Sequence, residues 1–387
     1  MKTDYGTICV GGGAAGLYFA SLVPDCLLLE KTDRVGSKLL LTGGGMCNFT
    51  HEGEPYEIVE HYYDRKLFAS PSIYNHPPKD IIRRFEELGV PSFTREDGCV
   101  FPRSRKAEDV VNALKGACSE IRTNSAPVSI RKVDGRFVVR TKDAVYTCDN
   151  VVLATGGDTW PETGSTGDAA SYVKIFGNRV TSLRPGLCQL RLKDRIKNVE
   201  GVTVNDLNFT LDGKHYCGSV LFTRIGITGP VVLNASRNVG KTSRIAIHFT
   251  DIRRSEIKTL PQSKVVSNAI TERTGLPESI VKSLVLPIAY DKRIAQLTKE
   301  EIARIHEQLT NYRTSVSTWG EGKKGMVTCG GVDTVGLDSK TLQSKTTPGF
   351  YAIGECVDVD GECGGYNLTF AFASAYIAAQ SILKGRS

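Results

Sequence analysis

Residues 4–30 read DYGTICVGGGAAGLYFASLVPDCLLLE, and this stretch decides the fold of the N-terminal region. The apolar residues 5–10 predict a buried strand, residues 14–22 a short helix, and residues 26–29 a second buried strand that ends at Glu30. Two strands joined by one helix over so short a stretch are typical of the βαβ unit of a parallel sheet.

The turn between the first strand and the helix carries the GxGxxG pattern of dinucleotide-binding folds. Gly11 permits the tight turn, Gly13 lets a pyrophosphate approach the backbone, and Gly16 lets the helix pack closely against the strand. Ala14 and Ala15 fill the remaining positions and begin the helix, whose N-terminal amides favour a phosphate. The turn therefore predicts a bound dinucleotide.

An acidic residue, Glu30, ends the second strand nineteen residues after Gly11. At this position a carboxylate accepts hydrogen bonds from ribose hydroxyls and disfavours the 2′-phosphate of NADP. The N-terminal region thus predicts a site for FAD or NAD.

Three later segments favour FAD over NAD. Residues 35–48, VGSKLLLTGGGMCN, contain three consecutive glycines that let the backbone press against a flat ligand. Residues 151–157, VVLATGG, and residues 349–355, GFYAIGE, are apolar runs that end in small residues, as expected where a strand end abuts a cofactor. A helix predicted over about residues 369–383 closes the chain.

Several motifs together resemble a known family: GGGAAG with Glu30, GSKLLLTGGGMCNFT, LATGGDTWPETGSTGD, LFTRIGITGP, VTCGGV and IGECVDVDGECGGYNLTFAFASA. They resemble the bacterial FAD-dependent oxidoreductases that include aminoacetone-oxidase-like and bile-acid 4,6-reductase-like flavoproteins. The resemblance covers nearly the whole chain. It implies an α/β fold with a Rossmann-like FAD domain of the two-dinucleotide-binding type, an inserted β-rich domain and an inserted helical domain, with FAD bound noncovalently.

The resemblance also implies which residues hold FAD. It places Gly44, Gly45, Cys47 and Asn48 against the isoalloxazine, and Gly365, Asn367 and Leu368 at its pyrimidine edge. The full set is Gly11, Gly13, Ala14, Ala15, Gly16, Glu30, Lys31, Lys38, Gly44, Gly45, Cys47, Asn48, Val128, Thr155, Gly156, Gly157, Gly354, Glu355, Asp358, Gly365, Asn367 and Leu368.

Two positions depart from the family's usual motifs. Met46 stands where the family carries an arginine, and Arg224 stands in LFTRIGITGP where it carries a histidine or an asparagine. Arg224 is therefore the candidate catalytic residue, as a forked donor to a carboxylate, a carbonyl or a nicotinamide phosphate. The alternative is a surface arginine in the turn at the end of a strand.

The predicted domains follow from these segments. Residues 1–185 and 326–387 form the discontinuous FAD domain, residues 186–249 and 311–325 the β-rich insertion, and residues 250–310 the helical insertion. The alternating pattern of residues 207–211, LNFTL, predicts strands in the β-rich part.

Composition limits the class of protein. Of 387 residues 40% are hydrophobic and 24% charged, which are ordinary globular values and exclude wholesale disorder. No apolar run approaches the roughly 18 residues of a membrane span. Eleven cysteines without CxxC or Cys/His ligand spacing predict no zinc site and no disulfide scaffold, which favours a reducing cytoplasm.

Three functions stay open at this stage. The first is a reductase in which NAD(P)H, docking transiently, delivers hydride to FAD for an activated C=C bond of a small or polycyclic substrate. The second is an amine or aminoketone oxidase that forms hydrogen peroxide. The third is a flavin-containing nucleic-acid-binding or regulatory protein that uses residues 241–325, which contain 15 Lys and Arg and 9 Asp and Glu. The interspersed acids favour a solvated helical face over this third function, so neither a nucleic-acid nor a membrane partner is expected.

Overall fold

The computed structural model describes residues 2–240, 242–318 and 325–385. They divide into two compact units, Met1–Gly186 with Gly322–Ser387, and Leu187–Glu321. We call the first the nucleotide unit and the second the barrel unit. None of the helices in the described ranges is long and apolar enough to cross a membrane.

Seven strands form the main sheet of the nucleotide unit. They are β1 (Asp4–Val10), β2 (Cys26–Leu29), β6 (Glu120–Arg122), β7 (Ser129–Val133), β8 (Arg136–Arg140), β9 (Val145–Leu153) and β18 (Phe350–Ala352). The order is β6-β2-β1-β9-β8-β7, and β18 pairs with the C-terminal part of β9. Strands β6, β2, β1, β9 and β18 run parallel, as the βαβ pattern predicts, whereas β7 and β8 form an antiparallel meander with β9.

The parallel register brings four strand ends together at one edge of this sheet. Val10 pairs with Leu29 on one side and Leu153 on the other, and Leu153 also pairs with Ala352. The glycine turn after β1, Glu30 after β2, and the small residues after β9 and β18 therefore all lie at the carboxyl edge. Ligands of open α/β sheets bind at this edge.

Helices cover the sheet and order the segments between its strands. They are α1 (Ala14–Ala20), α2 (Pro55–Glu60), α3 (Lys66–Asn75), α4 (Pro78–Glu87), α5 (Ala107–Gly116), α6 (Ala169–Val173) and α12 (Tyr366–Lys384). Two small sheets join them, one of β3 (Thr50–His51), β5 (Cys99–Pro102) and β4 (Ser92–Thr94), the other of β10 (Arg184–Gly186) and β17 (Val327–Cys329).

Two predicted helix boundaries in this unit were wrong. Helix α1 ends at Ala20 rather than at residue 22, because the chain turns at Ser21 ahead of Pro24. Helix α12 starts at Tyr366, three residues before the predicted start, and Gly365 is its N-cap. The earlier start of α12 changes how the cofactor site is built.

The barrel unit is a closed six-stranded barrel with helices packed on it. The strands are β11 (Leu190–Leu192), β12 (Thr203–Leu211), β13 (Lys214–Phe222), β14 (Gly226–Thr228), β15 (Arg244–His248) and β16 (Tyr312–Thr318), in the order β11-β14-β13-β12-β15-β16. The helices are α7 (Pro230–Ser236), α8 (Arg254–Thr259), α9 (Val266–Thr274), α10 (Glu278–Ala289) and α11 (Lys299–Thr310).

One hydrophobic core connects the barrel to these helices. Phe209, Phe222 and Ile247 of the strands belong to the same buried cluster as Ile280 and Ile305 of the helices. The sequence reading predicted only strands for residues 186–249 and missed α7. The separation of the β-rich and helical parts into two domains stays a prediction.

Candidate cofactor site

The glycine turn after β1 is held by close backbone approaches. Gly11 adopts φ +110°, and a Cβ on it would lie 2.4 Å from the carbonyl oxygen of Ala154. A Cβ on Gly16 would lie 1.9 Å from the carbonyl oxygen of Gly11, which is how α1 packs against β1. At Gly13, by contrast, a Cβ would meet nothing within 4 Å. Two glycines thus serve the fold, and the third faces open space where a ligand fits.

The start of α1 points unpaired amides at this space. Gly13 is the N-cap, and the first backbone bond of the helix runs from the Leu17 amide to the Gly13 carbonyl at 3.0 Å. The amides of the first turn, including those of Ala14 and Ala15, have no partner within the helix. Their donors and their small side chains suit an approaching pyrophosphate.

The buried carboxylate of Glu30 already accepts hydrogen bonds from neighbouring residues of the chain. Its Oε2 accepts from the Gly12 amide at 2.7 Å, and its Oε1 accepts from the amide and hydroxyl of Thr32 at 2.8 and 2.9 Å. A carboxylate has about four acceptor positions, so positions remain for ribose hydroxyls. These bonds fix the side chain beside the glycine turn before any ligand binds.

Two lysines next to this turn form ion pairs with residues distant in sequence. Lys31 Nζ lies 2.6 Å from Asp168 Oδ2. Lys38 Nζ lies 2.7 Å from Glu355 Oε1 and donates to Thr159 Oγ1 at 2.8 Å. Lys38 and Glu355 therefore connect the loop after β2 to the chain after β18. Sequence reasoning placed Lys38 near the cofactor but had no signal for Thr159.

Glu355 also orders the strand end after β9. Its Oε1 accepts from the Thr328 amide at 2.9 Å, and the Thr328 hydroxyl in turn accepts from the Asp158 amide at 2.9 Å. A Cβ on Gly157 would lie 2.0 Å from that hydroxyl oxygen, so only glycine permits this packing. On the other side of Gly156, the hydroxyl oxygen of Thr155 is buried without a hydrogen-bond partner among the described residues.

The glycine run of residues 43–45 exposes its backbone. Cβ atoms on Gly44 and Gly45 would meet nothing within 4 Å, and both residues adopt positive φ. Next to them Cys47 is fully buried, and its burial raises the pKa of the thiol to about 12. Asn48 Oδ1 is buried and has no partner among the described residues. Open backbone beside an unpaired amide oxygen suits the edge of a flat heterocycle.

The N-terminus of α12 lies directly against Asn48. A Cβ on Gly365, which has φ +99°, would lie 2.6 Å from the Thr50 carbonyl oxygen and 3.1 Å from Asn48 Oδ1. Because α12 begins at Tyr366, the amides of Asn367 and Leu368 belong to its first turn and have no partner within the helix. Nineteen residues of helix place partial positive charge at this point, which stabilises negative charge on a ligand.

The remaining predicted residues have structural roles of different kinds. Gly354 packs against α1, since a Cβ on it would lie 2.5 Å from the Ala15 Cβ. Asp358 is buried and pairs with Arg65 at 2.5 Å, a partner that sequence reasoning missed. The Asn367 side chain accepts from the Gly361 amide at 2.9 Å, which leaves only its backbone amide for a cofactor.

Val128 lies three residues after Ser125, which contacts the backbone of Glu30. Its side chain is 69% exposed, and its amide donates to the Arg140 carbonyl at 2.7 Å. The adjoining segment follows the end of β2, because the Ser125 amide donates to the Glu30 carbonyl at 2.8 Å. An exposed apolar side chain here suits contact with a ligand that extends from Glu30.

A stack of three rings beside α12 was also missed by sequence reasoning. The Tyr366 ring contacts both His51 and His61, with centroid distances of 4.9 and 3.9 Å, and the two histidine rings lie 6.5 Å apart. His61 Nδ1 lies 2.9 Å from Glu362 Oε2. The residues come from three separate segments, so no local pattern could indicate the stack.

Arg224 lies in the turn between β13 and β14 of the barrel unit. Its side chain is exposed, and its backbone carbonyl accepts from Arg195 Nη1 at 2.7 Å. The Thr223 amide donates to the Gly226 carbonyl at 2.8 Å and closes the turn. The role of Arg224 toward a substrate stays a prediction.

These features fit FAD along the carboxyl edge of the sheet. The open Gly13 backbone would take the pyrophosphate, Glu30 the adenosine ribose, and the Asn48 and α12 region the isoalloxazine. Two of the buried side-chain oxygens that have no partner among the described residues, Asn48 Oδ1 and Thr155 Oγ1, lie in segments that the family motifs assign to the cofactor. Unpaired buried oxygens are costly, and a ligand donor would remove the cost.

Comparison with known proteins identifies the family. The family model described as the HI0933-like protein Rossmann domain matches residues 5–381. The chain belongs to this family. The match spans both units and includes every residue predicted to hold FAD.

Curated relatives and solved structures that are similar to the chain cover nearly its whole length. The chain is 28% identical to a ribosomal RNA dihydrouridine synthase of Haemophilus influenzae, covering 97% of this chain and 98% of the relative. It is 26% identical to a 3-dehydro-bile acid delta(4,6)-reductase of Clostridium scindens, covering 96% and 97%. Among solved structures, a 3-ketosteroid delta1-dehydrogenase of Sterolibacterium denitrificans matches with TM-score 0.53, 12% identity, and coverage of 98% and 100%.

The family and the site together establish the class of enzyme. The chain is an FAD-dependent oxidoreductase with a Rossmann-like FAD domain, as the sequence predicted. The family named in the sequence analysis is confirmed in its bile-acid reductase branch. The resemblance to aminoacetone-oxidase-like proteins stays a prediction.

Proposed function

We propose that the protein reduces a C=C bond conjugated to a carbonyl group, with FAD as the hydride carrier and NAD(P)H as the electron donor. One observation carries the proposal: two relatives that match almost the whole chain have names that describe this single reaction type. Dihydrouridine is uridine in which the C5=C6 double bond, next to a carbonyl, has been reduced to a single bond. A delta(4,6)-reductase of a 3-dehydro substrate likewise acts on bonds conjugated to the 3-oxo group.

Bound FAD would supply two-electron hydride chemistry at this site. The chain's own part is electrostatic. The unpaired first-turn amides of α12 lie where the resemblance places the pyrimidine edge, and they stabilise the negative charge that reduction puts on that edge. The ion pair between Lys38 and Glu355 fixes the loop after β2 relative to the chain after β18.

Arg224 is the residue that we propose for the substrate carbonyl. Its exposed guanidinium presents a planar set of donors, and the turn that carries it is closed by the bond between Thr223 and Gly226. A cation at this position would polarise the carbonyl and make the conjugated carbon a better hydride acceptor.

The electron donor is proposed to bind only transiently. The sequence contains one GxGxxG pattern, at residues 11–16, and no second one for a separate nicotinamide domain. The eleven cysteines, all free thiols, favour a reducing cytoplasm as the compartment. Reduced nicotinamides are available there as donors.

Anaerobic stopped-flow spectroscopy tests the proposal. NADH or NADPH should bleach the flavin absorbance, and a 3-oxo-4-ene steroid should then restore it without oxygen. Bleaching by an amine such as aminoacetone, with no response to either nicotinamide, would instead support the amine oxidase alternative. The oxidase would also produce hydrogen peroxide in air, which a peroxidase-coupled assay detects.

A second candidate function is reduction of uracil within RNA. The relative from Haemophilus influenzae carries this activity in its name and covers 97% of the chain. Incubation of the protein with NADPH and an in vitro transcript of ribosomal RNA should produce dihydrouridine, which mass spectrometry of the nucleosides detects as a gain of two hydrogens. Free steroid enones should then be poor substrates.

A further inference from the structure

The net charge of the chain is confined to one of its two units. The nucleotide unit contains 29 Lys and Arg and 29 Asp and Glu, whereas the barrel unit contains 20 against 13. The whole formal charge of +7 therefore belongs to the barrel unit. Such segregation indicates a surface that meets an anionic partner.

Four cations in or next to the helices of the barrel unit are paired with carboxylates. Lys264 pairs with Glu272, Arg273 with Glu256, Lys282 with Glu278, and Lys292 with Glu301. The sequence analysis had assigned its nucleic-acid alternative to this helical region. These four cations are neutralised locally, whereas exposed Lys258 and Lys299 and several cations of the barrel strands form no ion pair among the described residues.

The outer face of three adjacent strands, β11, β16 and β15, carries unpaired cations. Leu190 and Leu192 of β11 point into the barrel, so Arg191 and Lys193 point outward. By the same alternation Arg313 of β16 and Arg244 of β15 point outward. We call these four residues, Arg191, Lys193, Arg244 and Arg313, the basic face.

The strand register holds the basic face together. Leu192 pairs with Val316, and the Lys193 amide donates to the Ser315 carbonyl at 3.0 Å. Ser315 pairs in turn with Arg244 on the next strand. Exposed Ser315 thus lies between Lys193 and Arg244.

None of the four cations forms an ion pair with a carboxylate in the part of the chain that the structure describes. Arg313 Nε donates only to Asn311 Oδ1, at 3.1 Å. Two acidic residues adjoin the face, and both are engaged with other groups. Asp194 Oδ2 accepts from Thr314 Oγ1 at 3.0 Å, while Asp212 accepts from the Ser243 hydroxyl at 2.5 Å and from the Arg244 amide.

Unpaired like charges on neighbouring strands do not stabilise a sheet. The four cations of the basic face, with exposed Ser315 among them, form a surface whose charge phosphate groups would neutralise. A membrane surface is less suitable as the partner, because peripheral binding also needs exposed apolar side chains. Among the described residues of the barrel unit, the exposed large hydrophobic residue is Tyr290, which follows α10 and lies outside these strands.

We propose that the basic face of the barrel binds the phosphate backbone of RNA. The inference rests on the second candidate function, in which the reduced uracil belongs to an RNA chain. The face would hold the polynucleotide through charge without reading its sequence, as phosphate contacts do.

Fluorescence anisotropy with a labelled RNA stem-loop measures the proposed contact. Each lost phosphate contact should lower the slope of log K against log salt by about 0.7 to 0.9. The double variant Lys193→Gln/Arg313→Gln should therefore lose roughly 1.4 to 1.8 of slope and bind more weakly at 50 mM salt. The control Lys258→Gln/Lys299→Gln removes the same charge from exposed helix positions and should retain the slope of the unmodified protein.

Separate measurements distinguish this inference from the proposed reaction. FAD content and thermal unfolding should be unchanged in both double variants, and NADPH should bleach the flavin of each at the same rate. If the slope falls as expected but no dihydrouridine forms, the RNA surface stands and the uracil substrate is wrong. Equal slopes in both variants would overturn the surface, as would binding to phosphatidylserine vesicles without binding to RNA.

Discussion

Replacement of Gly13 separates the needs of the cofactor from the needs of the fold. A Cβ at Gly13 would meet nothing within 4 Å, and its φ of −81° is one that any residue adopts. Gly13→Val should therefore leave the stability of the cofactor-free protein within about 0.5 kcal/mol of the original. The added side chain would occupy the space that we assign to the pyrophosphate, so FAD should no longer bind.

The loss of FAD has a calculable effect on unfolding. A ligand present at a thousand times its Kd stabilises the native state by about 4.1 kcal/mol. Added FAD should thus raise the unfolding temperature of the original protein and leave that of Gly13→Val unchanged. Chromatography of released flavin and thermal unfolding with and without FAD measure both effects.

Gly16→Ala is the matched comparison. Its Cβ would lie 1.9 Å from the Gly11 carbonyl oxygen, so this smaller substitution should disrupt the packing of α1 on β1 and destabilise even the cofactor-free protein. A yellow Gly13→Val protein with stoichiometric FAD would refute the assignment of the pyrophosphate. A Gly16→Ala protein as stable as the original would refute the account of the turn.

Three further predictions concern the substrate, the pH and the thiols. Arg224→Ala should keep its full FAD content while KM rises or the rate falls for the ligand that Arg224 holds, and loss of FAD would contradict the proposal. Burial, with Arg83 and Arg84 nearby, lowers the pKa of His76 to about 3, so the folded state binds fewer protons than the unfolded state below pH 6.5. The contribution of His76 to the free energy of unfolding should therefore be complete above pH 6.5 and fall by roughly 2 kcal/mol on acidification to pH 5. Urea unfolding of His76→Gln should show a smaller fall over the same pH range. Exposed Cys217 should react rapidly with a thiol reagent at pH 8, whereas buried Cys47, with its pKa raised to about 12, should react only on unfolding. Rapid labelling of Cys47 in the folded protein would contradict its burial.

Local sequence determined the βαβ unit and the class of ligand. The glycines, the apolar runs and Glu30 act within 27 residues, and the strand at residues 26–29 has the bounds that were predicted. The periodicity of the hydrophobic residues and the residues of the turn are sufficient to predict this unit, because each element contacts its neighbour in sequence. The same reasoning predicted a C-terminal helix but placed its start three residues late, since Gly365 ends the preceding loop only by fitting against the Thr50 carbonyl.

Tertiary structure alone decided the partners of the charged residues. Lys38 and Glu355 are 317 residues apart in sequence, and no periodicity relates them. The sequence showed that positive charge is abundant in residues 241–325, but not that Lys264, Arg273, Lys282 and Lys292 pair with carboxylates while the cations of the basic face form no ion pair among the described residues. Whether a charge is neutralised depends on which side chains the fold brings within about 4 Å, and that distance is set by packing between segments remote in the chain.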